Sequence, residues 1–195
     1  MKLDLPENYN KIEDTLNASE KILTSAVSNS RTLFHTLVVS SWNGKKILSR
    51  VMVLREFNLD DRKMRFHTDY RAPKIKNFSN NSITTVLGYD PELKIQIKLQ
   101  GNIKVHYDDE ITKLAWNEST SRSKKCYSVK GGSSKVINDP VDYDIKEFEV
   151  EEGYKNFAVL LFSFNSLEFL YLKSSGHRRA IHVWDRKIKS NWLIP

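Results

Sequence analysis

The dipeptide Asn43-Gly44, set between two apolar runs, constrains this chain most. Leu33 to Ser41 is rich in Leu, Val and Phe, and Lys46 to Glu56 is again β-branched and apolar. Two strand-like runs around Asn-Gly predict a hairpin, because both turn residues tolerate positive φ. The chain is thereby committed to antiparallel pairing. A second turn falls at Asn58 to Arg62, and Met64 to Thr68 reads as a third strand. Ile83 to Tyr89 and Lys94 to Val105 read as strands four and five. The fifth alternates cleanly, with Ile95, Ile97 and Leu99 on one face and Gln96, Lys98 and Gln100 on the other.

Helices are predicted around this core. Ile12, Leu16, Ile22, Leu23, Ala26 and Val27 recur at helical spacing, so an amphipathic helix is expected over about 12–29. Pro73 suits the first turn of a short helix with Ile75 and Phe78 inward. Asp108 and Asp109 precede a helix over Ile111 to Glu118. Ser119 to Asp139 is polar and basic, and reads as loop with room for a short helix; 144–154 are ambiguous. Ala158 to Phe164, Leu167 to Leu172 and Arg179 to Trp184 read as three closing strands. Trp184 and Trp192 read as terminal packing, with Trp192 on a last short strand. Strands in hairpin order with inserted helices predict an α+β fold, an antiparallel barrel-like sheet with flanking helices, rather than alternating βαβ units. No repeat or linker interrupts residues 1–195, so one domain is expected, with a barrel core over about 33–105 and closing strands over about 158–195.

Composition narrows the function. Hydrophobic residues make up 39% of 195, enough for a packed core. The longest apolar runs, such as Phe157 to Phe164, are too short to cross a bilayer, so no membrane partner is expected. Met1 to Asn10 lacks the apolar stretch of a secretory signal, and Cys126 is the sole cysteine. A cytoplasmic protein, with the nucleus also open, is the resulting expectation. The net charge of +7 suits a polyanionic partner: a phosphorylated cofactor, a phosphorylated substrate or nucleic acid. A merely solvated basic surface is the plain alternative.

The charges concentrate in one informative segment. Arg50-Val51-Met52-Val53-Leu54-Arg55 places two guanidiniums on one strand, on opposite faces by their odd spacing. Phe66-His67-Thr68-Asp69-Tyr70-Arg71-Ala72-Pro73-Lys74 is a strand end, a loop and a helix start. Helix N–H groups, the Thr68 hydroxyl, Arg71 and Lys74 together suit a phosphate. No metal-ligand spacing, nucleophile elbow or Gly-rich nucleotide loop accompanies them.

These residues, followed by Gln96-Ile97-Lys98-Leu99-Gln100-Gly101, resemble the core of the pyridoxamine 5'-phosphate oxidase-like split-barrel family. The pattern is Arg-x-x-x-Leu-Lys/Arg, then aromatic-Tyr-Thr-Asn/Asp, then a Lys opening a helix, then Gln-x-x-x-x-Gly. Thr68-Asp69-Tyr70-Arg71 matches the Thr-Asp-x-Arg variant of one branch. The resemblance implies an FMN-binding split β-barrel and an oxidoreductase of the pyridoxamine/pyridoxine 5'-phosphate oxidase type. It implies that Arg50 and Lys74 hold the FMN phosphate and that Thr68 bonds near it. His67 stands where the family often has Tyr. Val53, Leu54 and Arg55 run along the flavin, with Arg55 also near the substrate phosphate. Arg71 replaces an arginine expected at Pro73, Gln96 reaches the isoalloxazine edge, and Ser133 is a contact from a second subunit. A homodimer with FMN at its interface is therefore implied.

The substrate half departs from the family. Its Arg-x-His pair and following arginine correspond to His177-Arg178-Arg179-Ala180-Ile181-His182, with Arg178 as the arginine, Ala180 at the histidine and His182 near the last arginine. Leu170 stands where a tryptophan is expected. Arg55, Arg122 and Arg178 are the substrate-binding candidates, and the substrate itself stays open. The alternative reading is a non-catalytic module binding flavin, haem or nucleic acid. For the last, the basic loop of Arg122, Lys124, Lys125, Lys130 and Lys135 offers one aromatic, Tyr127.

Overall fold

Residues 3–144 and 150–195 are described in the computed structural model. Helix α1 (Ile12–Ser28) is followed by β1 (Thr36–Trp42), β2 (Ile47–Asn58), β3 (Lys63–Asp69), α2 (Lys74–Asn80), β4 (Ile83–Asp90) and β5 (Ile95–His106). Then come α3 (Glu110–Glu118), α4 (Ser121–Lys125), α5 (Val150–Tyr154), β6 (Phe157–Tyr171), β7 (Arg178–Trp184) and β8 (Ile188–Leu193). The order β3-β2-β1-β4-β5-β6 closes through a β3–β6 pairing into a six-stranded antiparallel barrel, and β7 and β8 extend from β6.

The Asn43 turn forms as expected. Gly44 has φ +93°, and Asn43 Oδ1 accepts from the N–H groups of Lys45 and Lys46. Pairing of Thr36 with Val53 through Trp42 with Ile47 then fixes the register. Alternation does the rest: Val39, Leu54, Phe66, Val86, Ile97 and Leu99 all point inward and are fully buried. Each such side chain contributes about 1.5–3 kcal/mol on burial.

Two expectations are corrected. The residues from Leu33 do not start a strand: Leu33–His35 is a 3-10 turn that buries Phe34, and β1 begins at Thr36. The two closing strands read from Ala158 and Leu167 are one, β6. Its first half pairs with both β5 and β3; its second half pairs with β5 and β7. That divergence is the split in the barrel. The ladder absorbs it by a bulge, because Phe164 pairs with Gly101 and Ser166 with Gln100, leaving Asn165 extra. Position 101 must then be glycine, since a Cβ there would lie 2.1 Å from Ser163 O and 2.6 Å from Phe164 Cα.

Helix α1 buries Ile22, Leu23 and Ala26 against the barrel. It is pinned to the closing strands by His182. The Thr15 hydroxyl donates to Ile12 O at 2.6 Å, so His182 Nε2 donates to Thr15 Oγ1 at 2.9 Å and Nδ1 accepts from Ser190 at 2.8 Å. His182 is thus neutral and structural, and burial holds its pKa down at about 4. Trp184 packs edge-on against Phe164. Trp192, expected to pack, is instead 44% exposed on the β8 edge. Within the ambiguous stretch, 145–149 lie outside the described residues.

Candidate functional site

The two arginines of β2 face opposite ways. Arg50 shares the inner face with Met52 and Leu54, both buried. Its Nη1 donates to Val39 O at 3.1 Å and Ser41 Oγ at 2.9 Å, and the guanidinium lies over the Phe78 ring at 5.5 Å. Lys74, the first residue of α2, donates to Thr68 Oγ1 at 3.1 Å. Burial and then the Arg50 charge disfavour its ammonium form, outweighing the opposing pull of the Asp69 carboxylate. Burial likewise lowers the pKa of Arg50. Among the described residues neither cation forms an ion pair. Two half-buried like charges, each bonded to neutral groups only, call for an external anion.

Arg71 is spent differently. Its Nε and Nη2 clamp the Asp69 carboxylate at 2.7–3.2 Å, and Nη2 also reaches Val129 O at 3.1 Å. The clamp draws the loop from Val129 onto the β3–α2 turn so closely that a Cβ at Gly132 would lie 2.9 Å from Arg71 Cβ. The result is a cavity of about 420 Å³ lined by Lys74, Arg71, Tyr127, Gly132 and Ser133. Ser133 therefore shares a cavity with Lys74. Four N–H groups of the turn are already used: Tyr70 by Asn156 O, Arg71 by Asp69 Oδ1, Ala72 by Asp69 O and Ile75 by Ala72 O. Side chains, more than the seven-residue α2, supply the donors.

Arg55 opens on a second cavity, of about 310 Å³, between β2, β3 and the α3–α4 corner. A register shift between Leu54 and Glu56 releases it from the ladder. Arg65, His67, Ala115, Glu118 and Ser119 are among the other walls. The His67 ring stands edge-on to Phe157, and burial, then Arg65 and Arg55, push its pKa down to about 3, so it is a neutral imidazole. Arg65 Nη2 donates to Glu118 Oε2 at 2.9 Å. Glu56 Oε2 is 3.1 Å from Arg65 Nε but off the N–H axis, an ion pair without a hydrogen bond. Val53 is half-buried, whereas Leu54 is fully buried in the core, leaving only its backbone to a ligand.

The remaining candidates lie elsewhere. Gln96 sits on the outer barrel face, opposite Ile95 and Ile97, and is not brought to Arg50 within one chain. It pairs with Leu170, which pairs with Arg179. The line Gln96–Leu170–Arg179 therefore crosses three strands on one face. Register places Arg179 two strands from Gln96, with Leu170 between them. Arg179 has a partner that the sequence does not reveal: Nε and Nη2 hold Glu168 Oε1 at 2.9 and 2.8 Å. Glu168 is 6% exposed and also pairs with Lys98 at 2.7 Å. Arg178 instead donates to Asn10 Oδ1, Gly176 O and His177 O. Arg122 is exposed on α4 and lines neither cavity. The substrate candidates Arg55, Arg122 and Arg178 are thus not assembled in one chain. Tyr127, the one aromatic of the basic loop, packs edge-on to Phe157 and Trp116 and lines the cavity beside Lys74.

Residues 17–107 match the model of the pyridoxamine 5'-phosphate oxidase, FMN-binding domain family. The match spans 91 of 195 residues, just under half of the chain. The matched segment contains Arg50, Arg55, Thr68, Arg71, Lys74 and Gln96, but neither Ser133 nor Arg179. No curated protein matches the sequence. Among solved structures, a pyridoxamine 5'-phosphate oxidase-related, FMN-binding protein from Nostoc punctiforme superposes with TM-score 0.77 at 17% identity, over 92% of this chain and 96% of that one. PhzG from Burkholderia lata, in complex with tetrahydrophenazine-1-carboxylic acid, gives 0.74 at 18% identity, over 98% and 99%. These likenesses establish the split-barrel fold over nearly the whole chain.

The donor set fits a flavin mononucleotide. Its phosphate carries the charge that Arg50 and Lys74 lack, Thr68 adds a hydroxyl, and the Gly132–Ser133 loop leaves a cavity beside Lys74.

Proposed function

We propose that this protein is an FMN-dependent oxidoreductase that works as a homodimer on a small anionic substrate. The observation that carries the reading is the pair Arg50 and Lys74, two half-buried cations without an ion pair among the described residues and with Thr68 against Lys74, inside a segment matched by an FMN-binding family. Lys74 meets the phosphate as a point charge, and Arg50, fixed by Val39 O and Ser41, offers its remaining N–H groups. Arg71 holds the loop bearing Ser133 rather than the phosphate itself. When bound, FMN supplies the two-electron redox chemistry that no side chain here can provide. Arg55 orients the substrate anion, and neutral His67 beside it leaves that charge uncontested.

The dimer is supported by the outer face of β1, β2 and β4. Ile47, Val51 and Ile83 are 65–70% exposed there, with Trp42 beside them. A second copy would cover this apolar face. It would also bring its own Gln96 and Arg179, which a single chain leaves apart from Arg50, to the shared flavin. The test is the visible spectrum of the purified protein after incubation with FMN and gel filtration. A flavin band eluting with a dimer is expected. Colourless protein would overturn the cofactor reading; a coloured monomer would overturn only the dimer.

A further inference from the structure

The described residues contain four buried side-chain nitrogens without a hydrogen-bond partner, and three of them line one cavity: Arg55 Nε, Arg65 Nε and His67 Nε2. Native proteins satisfy such atoms, so their concentration marks a place where an acceptor belongs. The hydroxyls nearby are partly spent. Ser119 Oγ donates to Ala115 O, and Thr120 Oγ1 donates to Ser123 Oγ. Arg65 Nε already faces the Glu56 carboxylate at 3.1 Å, so the free donors are the Arg55 fork and the imidazole edge.

Charge decides which acceptor. Arg65 already carries two carboxylates, Glu56 and Glu118, and Glu118 itself lines the cavity. His67 adds no charge. Lys124 of α4 is turned away over the Trp116 ring, and Arg122 does not line the cavity. Arg55 is left as the one cation without an ion pair on this wall. A single carboxylate matches its planar fork in both charge and geometry. A phosphate dianion would bring a second charge against Glu118 with no further cation to meet it. We propose that this cavity is a carboxylate site, in which Arg55 holds one carboxylate of a small ligand and Glu118 rejects phosphate dianions. The ligand is then a carboxylic acid, not the phosphorylated compound implied by the sequence resemblance. The binding claim stands on the cavity alone; its use as the substrate pocket rests on the flavoprotein reading.

Titration calorimetry with benzoate and phenyl phosphate at about pH 8, where the phosphate is a dianion, tests this. The Lys74→Met background weakens phenyl phosphate binding at the other cation cluster. Benzoate should bind at least ~10-fold more tightly than phenyl phosphate. Arg55→Gln should abolish benzoate binding. Glu118→Gln should leave benzoate within about threefold and improve phenyl phosphate at least ~10-fold, a gain that misfolding cannot produce. Phenyl phosphate binding equal to benzoate, no gain in Glu118→Gln, or no benzoate binding by folded protein would each overturn the proposal. Benzoate binding by a protein that takes up no FMN would retain the carboxylate site and remove only the flavin reading.

Discussion

Replacing Lys74 with Met separates two effects of opposite sign. In the free protein the ammonium is disfavoured by burial and by Arg50, and a single hydroxyl, Thr68, is its hydrogen-bond partner. Met keeps most of the stem and removes the repulsion. The free protein should lose no stability and should gain up to about 1 kcal/mol. For a chain of this length that gain is a Tm rise of about 2–4 °C. With FMN the sign reverses, because a charge-assisted hydrogen bond to phosphate is worth about 1.5–3 kcal/mol. FMN affinity should therefore fall by roughly 10- to 150-fold. Thermal melts without FMN and quenching of flavin fluorescence on titration read the two effects separately. A variant that melts well below the parent yet binds FMN equally well would refute the reasoning, because Lys74 would then be a structural residue.

Two further outcomes follow from the fold. Gly101→Ala should destabilise by about 3 kcal/mol or more, since its Cβ would meet the backbone of Ser163 and Phe164 at the β6 bulge; a melt within a degree of the parent would show that the bulge can relax. His67 and His182, held at about 3 and about 4 by burial, bind fewer protons folded than unfolded. Their contribution is present above the unfolded value of about 6.5 and is lost as pH falls toward 4. Urea midpoints should drop between about pH 7 and pH 5, and a flat profile would contradict the neutral assignment of these rings.

The barrel was legible because its strands alternate and its first turn is Asn43-Gly44. Those signals are local, and period two assigns each residue a face. The same parity separated Arg50 from Arg55. What escaped was set by register between distant strands. Asn165 looks like a turn residue but serves as a bulge, so one long strand read as two. Arg178 and Arg179 are adjacent and chemically alike; only the pairing of Leu170 with Arg179 shows which one stands in line with Gln96. Likewise, the Arg65–Glu118 pair joins residues far apart in sequence, and no spacing rule reveals it. Arg71 matched a family variant by position, yet Asp69 and Val129 O take most of its donors.

The central claim is that Arg50, Thr68 and Lys74 hold a flavin by its phosphate. Parallel titrations of the purified protein with FMN and with riboflavin, which differ only in that phosphate, test it most directly. The account predicts that FMN binds at least ~100-fold more tightly, as two phosphate-directed cations imply. It also predicts that Lys74→Met narrows the gap by weakening FMN alone. Equal affinities for the two flavins, or binding of neither, would contradict it.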